Sequence, residues 1–376
     1  MNLRSLAQSL IRLVLGGLFI FSGVIKMNDP LGFSYKLEEY FGADVFNLEF
    51  LQPLALPMAV FLVTLEVVLG LLMLIGYLRA FTFWSMAGLM VFFTFLTFYS
   101  AYFNKVTDCG CFGDAIPLTP WESFTKDVIL SVLIALYFAL GLRNVKPIMS
   151  RFWARGVMGL AVFAMAFFTN WVYNHLPVWD FRAYKAGTDI AKAMAPAEEL
   201  GLTPPQYDVV YTLRKGEEVM EVTGTDYVDQ KWWEKPEWVM DVEATRNIKV
   251  ADGYEPPVHD FAIAPGGEDQ TAQWLDYPES YWLVAYDFGR ADMAQLERMC
   301  REFQKLHDAG IPVVGLTSTD LSEVAALQAR TGTSFPWSNG DGTALKTIVR
   351  SNPGATHLRK GVVVKHYHFN DFPAAE

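Results

Sequence analysis

Cysteine and charge are both scarce in this chain: three cysteines occur among 376 residues, and only 19% of the residues are charged. Three cysteines are too few for a disulfide scaffold. All six histidines follow residue 174, so the first half lacks the Cys/His sets that bind zinc. A glycine-rich nucleotide-binding motif is also missing. We therefore expect no metal site and no bound nucleotide.

Charge divides the chain into two unlike halves. Residues 1–174 carry 11 basic and 10 acidic groups, whereas residues 175–376 carry 19 basic and 31 acidic groups. The acidic half argues against a nucleic-acid partner, because few cations are available to replace counterions along a phosphate backbone. The first half is instead rich in long apolar runs, which indicates a membrane part followed by a water-facing part.

Five segments of the first half are candidate membrane spans. They are residues 5–25, 53–78, 80–104, 128–142 and 156–174. A span needs about 20 apolar residues, so the fourth segment is short for this role. Five such helices in succession would leave no polar face for water. The predicted fold class is therefore a membrane α-helical bundle, followed by a soluble domain.

The positive charges predict the orientation of these spans. With a cytoplasmic N-terminus, the inside segments contain six basic residues and no acid: Arg4, Arg79, Arg143, Lys146, Arg151 and Arg155. The first span lacks a small-residue cleavage site, so we interpret it as retained. The resulting expectation is a bacterial inner-membrane protein with five spans, an inside N-terminus and residues 175–376 in the periplasm.

Two of the three cysteines, Cys109 and Cys111, flank Gly110 in a loop that this topology places outside. An oxidising compartment allows such a pair to form and exchange disulfides. The Cα atoms of residues two apart span at most about 7 Å, so a turn at glycine can close the pair. A redox-active pair, a static clip and thiols paired to other chains remain the alternatives, with metal binding by Asp108 and Asp114 behind them.

The sequence resembles the DoxX/MauE-like membrane proteins over roughly residues 7–145. The likeness is carried by "RLVLGGLFIFSGVIKMNDP", by the glutamate of the second span and by "DCGCFGD". It implies a four-helix inner-membrane core tied to quinone or thiol–disulfide chemistry, with a quinone as the candidate cofactor. The implied redox residues are Cys109 and Cys111. The implied polar family positions, candidates for cofactor binding, are Ser22, Lys26, Asp29 and Glu66.

Glu66 is also singled out by its position near the middle of the second span. An ionised acid at a helix centre costs about 2.5–3.5 kcal/mol on insertion scales, so we expect it to be neutral, paired or water-facing. It is either a proton-carrying catalytic group or a polar contact between helices. Gly16 and Gly17 of the first span form a notch at matching depth, and Arg12 is a candidate charge partner.

The last part of the chain resembles the TlpA-type thioredoxin-like group over about residues 256–370. This resemblance implies a C-x-x-C after the first long strand, but "DFGRAD" stands there. Asn352 and Pro353 occupy the place of the cis-proline. We expect a thioredoxin-like domain that keeps a partner-binding groove at these two residues and has no reductase activity. Its one cysteine, Cys300, is expected in the core, with a mixed disulfide as the alternative.

The predicted organisation has four parts. These are a DoxX/MauE-like domain at 1–145, a fifth span at 146–175, a small β-containing module at 176–253 and a thioredoxin-like domain at 254–376. Trp232 and Trp233 in the module form a partner-docking surface or pack against the next domain.

Two function classes follow. The first is thiol–disulfide or quinone-linked redox chemistry at the periplasmic face, through the C-G-C loop. The second is a non-catalytic membrane subunit whose inactive thioredoxin-like domain recruits partners or clients for protein export, folding or envelope assembly. The expected partners are membrane lipid and a periplasmic protein.

Overall fold

The structure, a computed structural model, describes residues 3–103, 105–106, 110, 112–141, 146–251 and 253–373. Its helices are α1 Leu3–Asn28, α2 Pro30–Phe41, α3 Ala55–Ile75, α4 Arg79–Phe103, α5 Pro120–Ala139, α6 Arg151–Asn174, α7 Ile190–Met194, α8 Gly224–Asp229, α9 Thr271–Asp276, α10 Met293–Asp308, α11 Leu321–Thr331 and α12 Gly342–Ile348. Its strands are β1 Gln206–Lys215, β2 Glu218–Thr223, β3 Val239–Ala251, β4 Ser280–Val284, β5 Val313–Thr317, β6 Trp337–Asn339, β7 Gly354–Arg359 and β8 Val362–His368.

The first part is a bundle of long apolar helices. Among the described residues, four helical stretches are long and apolar enough to cross a membrane. They are α1, Glu49–Ile75 (which ends with α3), α4 and α6. Large apolar side chains on their outer faces are exposed, among them Leu13, Phe61, Trp84, Val91 and Phe163. Because a lipid surface is as apolar as these side chains, the bundle is suited to a bilayer.

Helix α5 differs from the other four because its first two turns carry Glu122, Lys126 and Asp127. It starts beside the end of the bundle that faces the soluble part and ends where Gln8 Nε2 donates hydrogen bonds to the carbonyls of Leu140 and Gly141, at 3.2 and 3.0 Å. Gln8 lies at the opposite end of the bundle, near the start of α1. A 20-residue helix is about 30 Å long, so α5 extends through the bundle from end to end.

Helices α1 and α3 approach closely through glycines. A Cβ at Gly16 would lie 2.6 Å from the Leu74 side chain, and one at Gly70 would lie 2.8 Å from the Gly16 carbonyl. Gly17 has nothing within 4 Å of its Cβ position. The predicted notch is therefore formed by Gly16 with Gly70, while Gly17 points elsewhere.

Helix α2 follows α1 after a sharp turn and lies at the end of the bundle that faces the soluble part. Asp29 caps it by accepting a hydrogen bond from the Gly32 amide at 2.8 Å, and Pro30 occupies its first turn. Asn28, at the end of α1, exchanges hydrogen bonds with the backbone of Trp179, at 2.7 and 3.0 Å. These contacts join the bundle end to the chain that enters the soluble part.

The soluble part contains two sheets. Strands β1, β2 and β3 form a small antiparallel sheet in the order β2-β1-β3, and the other five form a mixed sheet in the order β6-β5-β4-β7-β8. In the larger sheet β4, β5 and β6 are parallel, and β7 and β8 are antiparallel to β4 and to each other. Helices α10 and α11 provide the crossovers. This strand–helix–strand order with a closing hairpin is thioredoxin-like, as predicted.

The segment before the small sheet packs into the thioredoxin-like domain. Tyr184, Ile190 and Ala193 belong to the same buried cluster as Trp282. Asp189 forms an isolated bridge with Val362 of β8. The structure thus adds residues 184–194 to the domain that we expected to begin at 254. The small sheet stands between these two pieces of chain, and its base is closed by the Tyr254 amide donating to the Thr203 carbonyl at 2.9 Å.

Candidate functional site

A cavity of about 350 Å³ lies inside the helical bundle, between α1, α2, α3, α4 and α5. Most of its wall is apolar: Leu18, Phe19, Phe33, Leu37, Met90, Phe93, Leu96, Phe112, Leu118 and Leu130. Volumes of about 300–1,000 Å³ with a few convergent polar groups are typical of small-molecule sites. The cavity is therefore suited to an apolar ligand that carries a small number of polar atoms.

The predicted residues Ser22, Lys26 and Glu66 meet in this wall. Lys26 Nζ forms a salt bridge and hydrogen bond with Glu66 Oε1, and both side chains are only 3% exposed. Ser22 Oγ donates to Glu66 Oε2 at 3.0 Å. The Lys26 ammonium also lies 5.1 Å from the ring centre of Phe33 and 4.9 Å from that of Phe93. Glu66 is therefore a paired buried carboxylate at the cavity surface.

The partner suggested for Glu66 from its sequence position was wrong. Arg12 donates instead to the carbonyls of Met73 and Leu74, at 3.1 and 2.5 Å. These carbonyls belong to the last turn of α3, where a cation satisfies oxygens that lack helical donors. Lys26 can contact Glu66 because its long side chain extends toward the N-terminus of α1.

A second buried carboxylate, Asp127, lines the same cavity from α5. Lys126 Nζ lies 3.0 Å from Asp127 Oδ1, and Thr97 Oγ1 donates to Asp127 Oδ2 at 3.1 Å. Asp127 is 2% exposed, whereas the Lys126 side chain is 24% exposed. Asp127 was not among the site residues predicted from the sequence. The signal that could have found it is an acid beside a lysine in the second turn of an apolar helix.

The two cysteines of the C-G-C loop, Cys109 and Cys111, lie outside the described residues. Gly110 between them is described: its φ is +61° and it lines the bundle cavity. Phe112 also lines the cavity and packs against Phe21 in a tilted arrangement, with ring centres 5.7 Å apart. A positive φ favours glycine, as the turn expected there requires. Gly110 thus places the centre of the loop at the cavity wall.

A larger, more polar cavity of about 830 Å³ lies between the bundle and the thioredoxin-like domain. Gly110, Lys26, Phe33 and Lys36 line both this cavity and the apolar one. The loop centre therefore separates an apolar space in the membrane part from a polar space under the soluble domain.

Asp29, the fourth predicted family position, points away from Glu66. Its Oδ2 atom accepts a hydrogen bond from Arg350 Nε of the thioredoxin-like domain at 2.7 Å. Asn352 and Pro353 lie close to this contact, and their peptide bond is cis, as predicted. Asn352 Nδ2 donates to the Asp287 carbonyl at 2.8 Å, which ties the proline loop to the turn that replaces the C-x-x-C.

The remaining predicted residues lie elsewhere. Cys300 is fully buried in the thioredoxin-like core beside Leu296 and Phe303, and burial raises the pKa of its thiol to about 12. This confirms the core interpretation, since a thiol of such high pKa is unreactive at neutral pH. In the small sheet Trp232 is buried, whereas Trp233 is 54% exposed. Within the described residues, no group of three or more His, Cys, Asp or Glu side chains could hold a metal ion.

The comparisons with known proteins match parts of the chain. A family model described as methylamine utilisation protein MauE matches residues 4–140, which contain α1 to α5. Protein TlpB of Flavobacterium psychrophilum is 30% identical over 148 residues, which is 36% of this chain. The chain spans 38% of the length of that relative.

Two solved structures are similar to part of the chain. StoA from Bacillus subtilis is 15% identical with a TM-score of 0.24, covering 29% of this chain and 89% of that one. A putative protein disulfide isomerase from Bacteroides thetaiotaomicron is 17% identical with a TM-score of 0.25, covering 32% and 78%. The assignment of a thioredoxin-like fold to the C-terminal domain rests on the order of its own strands.

Proposed function

We propose that this MauE-like membrane protein with a thioredoxin-like domain performs thiol–disulfide redox chemistry in the cell envelope. In this proposal Cys109 and Cys111 exchange electrons with an apolar carrier of the quinone class in the bundle cavity. One observation carries it: Gly110, the residue between the two cysteines, lies in the wall of an apolar cavity that also contains Lys26 and Glu66.

The cavity fits a quinone by size and by chemistry. Its walls are mostly apolar, and two buried carboxylates line it at separate places, Glu66 on α3 and Asp127 on α5. When bound, a quinone supplies a two-electron, two-proton acceptor for a dithiol, which becomes a disulfide. The chain must therefore hold an apolar ring, offer donors to its oxygens and provide routes for two protons.

The polar residues of the cavity meet these needs. Lys26 is held in place by Glu66 and can offer a charged donor at the wall. Glu66 and Asp127 can each hold a proton at a carboxylate oxygen. Asp127 has the better connection to water, since its partner Lys126 is partly exposed whereas the Lys26–Glu66 pair is enclosed.

We propose five spans with the N-terminus inside, which places the C-G-C loop and the thioredoxin-like domain outside. The support is the course of α5, which extends through the bundle, together with the positions of Lys146 and Arg155. Lys146 contacts Arg12, and Arg155 lies 3.4 Å from the Tyr77 hydroxyl, so both basic residues lie at the end opposite the soluble domain. Added protease on right-side-out spheroplasts should remove residues after about 175; full protection would refute this orientation.

The redox proposal is tested by trapping thiols in intact membranes. Maleimide labelling before and after reduction should show Cys109 and Cys111 changing state together, and blocking quinone synthesis should leave the pair reduced. Cys300→Ser is the control and should change nothing, because its thiol is buried. A pair that keeps the same state with and without quinone would refute the proposal.

A cavity-filling substitution tests the location. Leu18→Trp adds bulk inside the cavity, whereas Leu13→Trp on the same helix adds it on an outer face that is 63% exposed. We expect the first variant to slow reoxidation of the pair and the second to behave like wild type. Equal rates in the two variants would place the carrier elsewhere.

The second candidate is a non-catalytic membrane subunit that recruits protein partners. It is favoured by the Phe288–Arg290 turn, which stands where a thioredoxin-like domain carries its active cysteines. If the double variant Cys109→Ser/Cys111→Ser functions normally, and stoichiometric partners copurify in mild detergent, this candidate replaces the redox one.

A further inference from the structure

The thioredoxin-like domain rests on α2 through the face that carries the cis-proline. Arg290, in the turn that replaces the C-x-x-C, binds Glu38 with Nη1–Oε2 and Nη2–Oε1 distances of 2.9 and 2.5 Å. The hydroxyls of Tyr35 and Tyr286 are 2.7 Å apart. Lys346 lies 3.8 Å from the same Glu38. The face therefore contacts the chain's own membrane part.

Charge is complementary across this contact. Residues 175–376 are strongly acidic overall, yet three cations, Arg290, Lys346 and Arg350, are gathered on this one face. Their partners on the membrane side are Glu38, Asp29 and Asp114. An acidic domain that places its cations opposite acids is set up for one specific orientation.

Arg350 makes the most enclosed of these contacts. It is 6% exposed; its Nε atom is 2.7 Å from Asp29 Oδ2, and its Nη2 atom is 3.2 Å from Asp114 Oδ2. Burial opposes the guanidinium charge, but the two carboxylates outweigh burial, so the pKa of Arg350 lies above its ordinary value. Asp29 caps α2, and Asp114 follows Cys111 by three residues. One side chain thus links the proline loop to both walls of the polar cavity.

We infer that this face of the thioredoxin-like domain is an intramolecular docking surface, and that Arg350 is a positioning residue for the C-G-C loop through Asp114. The occupant of the surface is the chain's own α2 together with the segment at residues 113–114. In this arrangement the domain without cysteines acts on the cysteine pair of the membrane part by holding the flank of its loop. The inference goes beyond the proposed function, because it does not depend on a quinone or on turnover.

The test measures how fast Cys109 and Cys111 react with maleimide in the full chain, in membranes, after chemical reduction. Arg350→Gln and Asp114→Asn should each raise the labelling rate about tenfold, a change equivalent to about 1.4 kcal/mol. Arg350→Lys keeps the charge and should recover part of the protection. The matched control is Arg359→Gln at the end of β7, where the arginine side chain is 65% exposed; it should leave the rate unchanged.

Labelling of Cys300 reports whether the domain is still folded, since this thiol is fully buried. If Cys300 is labelled in Arg350→Gln, that variant has unfolded. The labelling rate of Cys109 and Cys111 in Asp114→Asn then tests the inference by itself. Wild-type rates in the folded variants would overturn the inference, and so would an equal increase in Arg359→Gln. Absence of quinone-dependent cycling of Cys109 and Cys111 in the wild-type chain would refute the redox proposal, whereas the expected increase in labelling rate in Arg350→Gln and Asp114→Asn would still support this inference.

Discussion

Separating Lys26 from Glu66 should be far more harmful than removing both. Glu66→Gln leaves an ammonium that is 3% exposed without its counter-charge. Breaking a buried pair costs about 3–5 kcal/mol. The contacts of Lys26 with the rings of Phe33 and Phe93 persist and offset about 1 kcal/mol. We therefore expect Glu66→Gln to lower the free energy of unfolding by about 2–4 kcal/mol.

The double variant Lys26→Met/Glu66→Gln removes both charges and keeps a group that can bond Ser22. Replacing a buried pair by neutral groups of similar volume is often neutral, so we expect stability within about 1 kcal/mol of wild type. Lys26→Met alone should be intermediate, because a lone carboxylate can take up a proton. Unfolding by SDS in detergent micelles, followed by tryptophan fluorescence, measures all three as a double-mutant cycle.

Function should separate from stability in this cycle. We expect the double variant to be stable but slow in reoxidising Cys109 and Cys111, because the charged donor and the carboxylate are both gone. Additive losses of stability in the double variant would show that the two side chains do not interact. Wild-type reoxidation in a stable double variant would show that Lys26 and Glu66 serve only in helix packing.

The remaining predictions concern a helix contact, a second carboxylate and a buried histidine. Gly23→Ala should destabilise the bundle, since a Cβ there would lie 2.6 Å from the Val67 side chain, while Gly17→Ala should be tolerated in the same SDS titration. Asp127→Asn should slow reoxidation about 10²-fold, the lower range for loss of an acid–base group, and Asp127→Glu should restore part of it; unchanged rates in Asp127→Asn would remove the proton role. Burial, aided by Arg182, lowers the pKa of His366 to about 4. The unfolded chain therefore binds a proton at higher pH, so the domain should lose stability as the pH falls from about 6.5 to about 4. His366→Gln should remove part of this slope and not all of it, because burial also lowers the pKa of His368 to about 4; an unchanged profile would contradict the assignment.

The sequence was informative where one residue type alone signals its role. An acid in the middle of an apolar span must be satisfied somehow, so Glu66 could be selected without a structure. Its partner could not be identified from the sequence, because Lys26 is 40 positions away and lies nearer the end of the first span, where lysines are common. The choice between Arg12 and Lys26 depends on how far each side chain reaches along α1, and this is a property of helix packing.

Other features had a weak signal or none. The charges that begin α5 look like an ordinary solvated helix start, and only the neighbouring helices show that Asp127 faces a cavity. The role of residues 184–194 depends on a bridge from Asp189 to Val362, across more than 170 positions. Local patterns predicted the strands and helices of the thioredoxin-like domain well, but such distant pairing leaves no periodicity to detect.

The hydrogen bond that joins the two ends of the small-sheet segment affects how the sequence of this chain can vary in evolution. The chain leaves the thioredoxin-like domain and returns to it at one point, where Tyr254 bonds to Thr203. Strands β1, β2 and β3, which lie between these two residues, are therefore an insertion within the thioredoxin-like domain and not a linker between two domains. Such a unit can be lengthened, exchanged or lost while the pieces on either side keep their common core. Relatives of this protein should accordingly vary most in this sheet.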